Sequence, residues 1–395
     1  MSEPEKTIST ANEIVQAIRE IVGPGSIALH EPSFDGNEWL YLKECLDSKH
    51  VSSTGKFVEK FEALISEFTG AKYVVSVVNG TAALQIALKI IGVKSGDEVL
   101  IPALTFVATA NAVSYLGAIP HFLESDEKSL GINTFKLRDY LKANTQIESG
   151  LCINKITGRV IRAIVPMHTF GHPSDLENLL SIANEFRLIL VEDAAESLGS
   201  FYCGQHTGTF GMAGALSFNG NKIITTGGGG AILTNDQSLA RIAKHITTTA
   251  KIPHEWEFDH DVVGYNYRLP NINAALGCAQ MESLPEKISF KRALFQRYKS
   301  AFEKISDAYI FEESNKCKSN YWLQTLILKK ESQVVRDTVL EESNKCGIMT
   351  RPAWKLMTHL IPYRNSPSMN LEDTNSLYRR IVNIPSSPEL IRVQK

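Results

Sequence analysis

At 395 residues the chain is long enough for two to three domains of about 150 residues each. Apolar residues make up 43% and charged residues 21%, which excludes a wholly disordered chain. Against 43 acidic residues stand 41 lysines and arginines, so the formal charge of −2 gives no electrostatic case for nucleic acid or an anionic membrane as main partner.

The N-terminal segment carries charges of both signs and no apolar signal core. Ile14, Ile18 and Ile21 predict a short amphipathic helix stopped near Gly23-Pro24-Gly25. Strands are expected at Tyr73–Val78, Glu98–Ile101, Ile119–Phe122, Ile161–Pro166 and Leu188–Val191. Helices are expected at Thr81–Ile91, Phe106–Leu116 and Leu176–Phe186 between them. Val99 to Leu123 is uncharged, but Pro102, Asn111, Gly117, Pro120 and His121 break it into a strand–helix–strand passage rather than a membrane span. Alternating strands and helices imply a mostly parallel sheet covered on both faces, with ligands at the carboxyl ends of its strands. After about residue 240 the pattern changes. A long helix from Ile288 to Ile305, a strand at Tyr321–Leu328 and a helix at Val334–Cys346 suggest a smaller α+β domain. The hexapeptide Glu-Glu-Ser-Asn-Lys-Cys at 312–317 and 341–346 is a coincidence, not a repeat architecture.

The cysteines (Cys45, Cys152, Cys203, Cys278, Cys317, Cys346) form no CxxC pair, so neither a zinc site nor a disulfide framework is signalled. A reducing, cytoplasmic compartment is the expectation. His168 and His172 are four apart, but Gly171 and Pro173 break the helix a metal pair would need.

Lys222 is the only cation between Arg187 and Arg241 and sits among small residues. A desolvated lysine can act as an amine nucleophile; the alternative is an ordinary lysine on a glycine-rich loop. The glycine run 227–230 precedes a strand pattern at Ala231–Leu233, which argues against a dinucleotide fingerprint. Asp193 ends an apolar strand, where it either meets a cation or caps the next turn. Asn79-Gly80-Thr81 joins a strand to a helix and could cradle a phosphate, with Ser217 as a further donor. Phe106 either stacks on a flat ring or packs in the core.

Together these segments resemble the DegT/StrS family of sugar-nucleotide aminotransferases, fold-type-I enzymes that use pyridoxal 5′-phosphate. The resemblance runs from about residue 30 to 390. It is carried by Asn79-Gly-Thr-Ala-Ala-Leu84, Pro102-Ala-Leu-Thr-Phe-Val-Ala-Thr-Ala110, Pro166-Met-His168, Glu192-Asp-Ala-Ala-Glu-Ser-Leu-Gly199, Ser217-Phe-Asn-Gly-Asn-Lys222 and Gly264-Tyr-Asn-Tyr-Arg-Leu-Pro270. It implies a three-layer α/β/α large domain with a mostly parallel sheet, and a smaller C-terminal α+β domain. The boundaries read as an N-terminal helical extension at 1–30, the cofactor domain at 31–250 and the small domain with its linking helix at 251–395. By the same resemblance Lys222 is the lysine that bonds the cofactor, and when released it moves protons between cofactor and substrate. Asp193 partners the pyridine nitrogen, and Gly80, Thr81 and Ser217 hold the phosphate. Phe106 covers the ring, and Glu196 stands beside the cofactor where relatives often carry His or Gln. Asn266 reaches the phosphate of the neighbouring subunit's cofactor, which implies a homodimer. Thr54, His168, Arg351, Trp354 and His359 are candidates for the sugar-nucleotide cleft, Trp354 equally for an anchor of the small-domain core.

Two departures flank Lys222. Gly227–Gly230 stands where many relatives have Gly-Glu-Gly-Gly, and Asn219-Gly220 where many have His-Pro or Tyr-Pro. They point toward the bacillosamine and legionaminic acid branch. The expected reaction is 4-amination of a UDP-linked, N-acetylated 4-keto-6-deoxy sugar with L-glutamate as donor, in surface polysaccharide synthesis. A GDP-linked, perosamine-synthase-like substrate and a non-catalytic sugar-nucleotide sensor are the alternatives. A family dehydratase would have His in place of Lys222, and a cysteine desulfurase would need a mobile loop cysteine that is not evident.

Overall fold

The computed structural model describes residues 3–392. In chain order it has α1 (Glu3–Val22), α2 (Glu38–Asp47), α3 (Lys56–Thr69), β1 (Tyr73–Val77), α4 (Gly80–Ile90), β2 (Glu98–Pro102), α5 (Val107–Ser114) and β3 (Ile119–Leu123). Then come α6 (Thr134–Asn144), β4 (Thr145–Glu148), β5 (Leu151–Asn154), β6 (Val160–Ile164), α7 (Leu176–Glu185) and β7 (Ile189–Asp193). Two short strands, β8 (Phe201–Tyr202) and β9 (Gln205–His206), precede β10 (Ala213–Ser217), β11 (Gly230–Thr234) and α8 (Gln237–Thr247).

Nine of these strands form one sheet in the order β1-β11-β10-β7-β6-β2-β3, with the β4–β5 hairpin attached to β6. The β10–β7, β7–β6, β6–β2 and β2–β3 pairs are parallel, and β11 is antiparallel to both neighbours. Every residue of β2 and β11 is buried, as expected of strands covered by helices on both faces. The passage from Val99 to Leu123 is strand, helix and strand, and among the described residues no helix is long and apolar enough to cross a membrane. Helix α4 is apolar almost all round, with Ala82 to Leu88 buried, because it is enclosed between sheet and neighbouring helices.

The remainder comprises α9 (Asn271–Phe302), β12 (Ala308–Ile310), β13 (Cys317–Lys318), β14 (Gln324–Leu328), α10 (Gln333–Lys345), β15 (Arg351–Pro352), α11 (Glu372–Tyr378), β16 (Ile381–Ile384) and α12 (Glu389–Arg392). A four-stranded antiparallel sheet, β12-β14-β16-β15, has its own core, to which α1 contributes Ile14, Ile18 and Ile21 alongside Leu294, Tyr298, Val339 and Ile384. The N-terminal helix thus packs into the C-terminal domain, chiefly against α10.

Two sequence expectations need correcting. The long helix begins at Asn271 rather than Ile288, because its first half packs on α3 through small residues that leave no apolar stripe. A Cβ on Gly277 would meet Phe61 Cε2 at 2.6 Å, so only glycine lets the two helices approach this closely. The strand expected from Tyr321 starts at Gln324, because Tyr321 is left-handed (φ 48°) and Asn320 Oδ1 takes the Trp322 N–H at 2.8 Å.

Candidate active site

Strand register brings the candidate residues to one edge. Gly230 opposes both Val77 and Ser217, so the end of β1, the start of α4 and the end of β10 lie together. A cavity of about 300 Å³ opens there, lined by the Asn79–Thr81 turn, Asp193, Ser217 and Lys222, and on the small-domain side by Trp322 and Trp354.

Asn79 caps α4, its Oδ1 accepting the Ala82 N–H at 2.8 Å. A helix leaves its first N–H groups without helical acceptors, and those of Gly80 and Thr81 stand where the helix start meets the cavity. A Cβ on Gly80 would lie 2.8 Å from Ser217 Cβ and 3.2 Å from its Oγ, so glycine keeps this corner open. Two backbone donors, hydroxyls from Thr81 and Ser217 and the positive end of a helix make a donor set suited to a phosphate.

Asp193 ends β7, 3% exposed. Thr109 Oγ1 donates to its Oδ2 at 2.7 Å and Ala195 N–H to its Oδ1 at 3.2 Å. Burial pushes its carboxyl above the ordinary aspartate range, against those two bonds and the nearby Lys222 charge. A cation brought against Asp193 would favour the carboxylate, as a protonated pyridine nitrogen does.

Lys222 Nζ stands 3.2 Å from Glu196 Oε1 and 3.9 Å from the centre of the Trp322 ring. Glu196 Oε2 takes the Phe170 N–H at 2.9 Å. Burial raises the Glu196 carboxyl to about 7, opposed by Lys222 and the Phe170 N–H and reinforced by Asp193. Phe106, 46% exposed, meets Trp354 edge-on at 6.2 Å, and Trp354 leans on Phe170 at 4.8 Å. The cavity therefore joins a phosphate-type cradle, a buried carboxylate, an amine and an aromatic wall, and this donor set fits pyridoxal phosphate.

The structure gathers Gly80, Thr81, Phe106, Asp193, Glu196, Ser217, Lys222 and Trp354 around that cavity. Trp322 was missed; it lies in an irregular turn with no periodic or motif signal to single it out. Other candidates lie elsewhere. His168 is fully buried behind the strand ends, its Nδ1 accepting the Ser174 N–H and its Nε2 facing Glu192 Oε2 at 3.1 Å, and it does not line the cavity. Thr54 is exposed ahead of α3, Arg351 is exposed on β15 with Nη1 on the Thr350 carbonyl, and His359 is exposed beside Tyr378. None of these three lines this chain's cavity. Asn266 is exposed, bridged to Thr248 and outside the cavity of its own chain.

The profile of the DegT/DnrJ/EryC1/StrS aminotransferase family matches residues 32–394. GDP-perosamine synthase of Escherichia coli O157:H7 is 35% identical over 370 residues, covering 93% of this chain and 95% of that protein. The putative pyridoxal phosphate-dependent aminotransferase EpsN of Bacillus subtilis is 33% identical, with 92% of each chain covered. A DegT DnrJ EryC1 StrS aminotransferase from Brucella abortus has the same fold, with a TM-score of 0.80 at 26% identity over 90% of this chain and 94% of that one. The chain belongs to the DegT/DnrJ/EryC1/StrS family and is a pyridoxal-phosphate-dependent aminotransferase.

Proposed function

We propose that the protein transfers the amino group of L-glutamate to C4 of a nucleotide-linked 4-keto-6-deoxy sugar, and that it works as a homodimer. The observation that carries this reading is the placement of the Lys222 amine in one cavity with Asp193 and the Gly80–Thr81 helix start. Pyridoxal phosphate supplies the amino-group carrier and the electron sink. The N–H groups of Gly80 and Thr81 and the Ser217 hydroxyl hold its phosphate, Asp193 faces the pyridine nitrogen and Phe106 lies against the ring. Lys222 Nζ is the base and acid of the cavity, taking up and returning the substrate proton. Glu196, beside it, holds the ammonium form of that amine.

A partner copy is supported by the segment between α8 and α9. Trp256, Phe258, Val262 and Val263 there are 53–82% exposed, a group of apolar side chains in one loop that a second copy would cover. Asn266 follows directly, exposed and outside its own cavity, where it can serve a neighbouring site.

The nucleotide has two readings. The departures around Lys222 favour a UDP-linked, N-acetylated hexulose; the names of the E. coli and Vibrio cholerae relatives favour a GDP-linked 4-keto-6-deoxyhexose. Protein loaded with pyridoxal phosphate should show the visible band of a lysine-bound cofactor at roughly 400–430 nm, bleached by glutamate. Offering the UDP- and GDP-linked keto sugars in turn then restores the band with the true substrate. A band indifferent to glutamate would defeat the donor assignment, and one indifferent to both sugars would defeat the sugar reading.

A further inference from the structure

Lys222 is held from two sides, and one of them comes from the other domain. Glu196 belongs to the loop after β7; Trp322 belongs to the turn that leads into β14. That turn is built with unusual care. Trp322 is 4% exposed, and its indole Nε1–H donates to the carbonyl of Asn221, the residue before Lys222, at 2.8 Å. Its own carbonyl accepts a bond at 3.0 Å from Lys291, a fully buried lysine of α9 whose amine nitrogen also donates to the Ser386 carbonyl at 2.6 Å. Asn320, two residues earlier, donates to the carbonyls of Glu196 and Leu198, each at 2.9 Å, and its Oδ1 takes the Trp322 N–H. Tyr321 between them is a buried, left-handed, non-glycine residue, a conformation kept only where the surroundings over-determine it. One strained turn therefore indexes both the backbone behind Glu196 and the backbone beside Lys222.

We propose that Trp322 is a positioning residue for Lys222: its ring face holds the lysine's ammonium inside the cavity whenever that amine is not bonded to the cofactor. The inference deepens the aminotransferase reading and rests on it for its purpose. The reaction requires Lys222 to leave the cofactor and remain within reach of it, and a free four-carbon side chain would otherwise sample many rotamers. A ring face attracts a cation through its quadrupole, most strongly where water is excluded, and only 12% of the Lys222 side chain is exposed. The titratable groups around this amine are the Glu196 and Asp193 carboxyls and the buried His30 imidazole, which burial and the neighbouring lysines hold well below its ordinary value and so keep neutral; the indole adds to them without adding a charge.

The test reads the amine directly, in full-length protein stripped of cofactor. Carbamylation by cyanate is followed across pH at Lys222 by peptide mass spectrometry, with the exposed Lys304 as internal reference. A ring face favours the ammonium, so its loss lets the amine deprotonate at lower pH. Trp322→Leu should lower the Lys222 midpoint by about half a pH unit or more, corresponding to an approximately threefold weaker hold on the proton. Trp322→Phe, which keeps a face and loses the indole N–H, should lower it less. Because a leucine variant could fail to fold, fluorinated tryptophans incorporated across the chain provide an isosteric series. Each added fluorine draws charge from the ring face, and the Lys222 midpoint should fall stepwise while Lys304 stays fixed. A flat fluorine series, or an unchanged midpoint in a folded Trp322→Leu protein, overturns the proposal. Since neither cofactor nor substrate is present, failure here is separate from failure of the transaminase reading, which the glutamate-bleaching experiment decides.

Discussion

The Lys222 ammonium and the Glu196 carboxylate stand 3.2 Å apart in a pocket where the carboxylate side chain is only 2% exposed. Attraction between them does not offset the whole cost of burying Glu196, whose carboxyl titrates at about 7 rather than near 4.5. At neutral pH this carboxyl is therefore poised between its neutral and charged forms, beside the Lys222 amine.

A pH-dependent stability follows in the cofactor-free protein. The folded-state value of Glu196 is raised, so its contribution is fully present below about pH 4.5 and is lost as pH rises toward 7. Glutamine stays neutral throughout. Glu196→Gln should therefore be relatively better tolerated at pH 8 than at pH 5, by roughly 2 kcal/mol when denaturation is compared with wild type at both values. An equal difference at the two pH values would mean that Glu196 ionises normally in the folded chain.

Asp193→Asn separates fold from function. The carboxyl is already disfavoured as an anion by burial, and an amide of the same shape can keep one oxygen on Thr109. The variant should stay folded near neutral pH in the absence of cofactor, melting only slightly lower than wild type because the amide nitrogen would face the Ala195 N–H that Oδ1 accepts. Turnover should drop by at least about 100-fold, roughly 3 kcal/mol of barrier, because an amide cannot hold the pyridine nitrogen protonated. Turnover within about threefold of wild type, less than ~1 kcal/mol, would remove Asp193 from its assigned role.

Gly80→Ala tests the cradle by shape alone. The new methyl would lie 2.8 Å from Ser217 Cβ, and neither the start of α4 nor the end of β10 is free to yield. The shift required costs about 1–3 kcal/mol and falls on the corner proposed to hold the phosphate, so pyridoxal phosphate affinity should weaken by about tenfold or more in equilibrium dialysis. Unchanged affinity would place the phosphate elsewhere.

The parallel half of the fold was legible because its strands are short apolar runs and its turns carry Asn, Gly and Asp at the strand ends. The same alternation places Asn79–Thr81 and Asp193 at the carboxyl ends of their strands, on one rim. What failed was whatever local pattern could not encode. Helix α9 begins 17 residues early because Ala274, Ala275 and Gly277 are chosen for closeness to α3, not for an apolar stripe. Trp322 escaped notice because its meaning lies in long-range bonds to Asn221 and Lys291. His168 was misplaced for the opposite reason: it sits in a motif beside the site, yet its ring turns inward to Glu192, which also gathers the N–H groups of Gly208, Phe210 and Gly211. The repeated hexapeptide makes the point within one chain, since 312–317 is loop running into β13 and 341–346 is the end of α10.

A shared site predicts complementation between two defective chains. Asn266 lies 44 residues beyond Lys222, exposed and outside its own cavity, in the segment whose apolar side chains a second copy would cover. If it serves the neighbouring subunit, Lys222→Ala and Asn266→Ala each damage a site, but in a mixed dimer one site combines both defects and the other has neither. Activity should then reappear when the two proteins exchange subunits, approaching a quarter of the wild-type value for an equal, random mixture: half of the dimers are mixed, and half of the sites in those are intact. Exchange is followed independently with differently tagged chains, and Asn266→Ala must first show a clear loss by itself. Mixed dimers without recovered activity would assign Asn266 to its own chain's site and remove the argument for an obligatory pair.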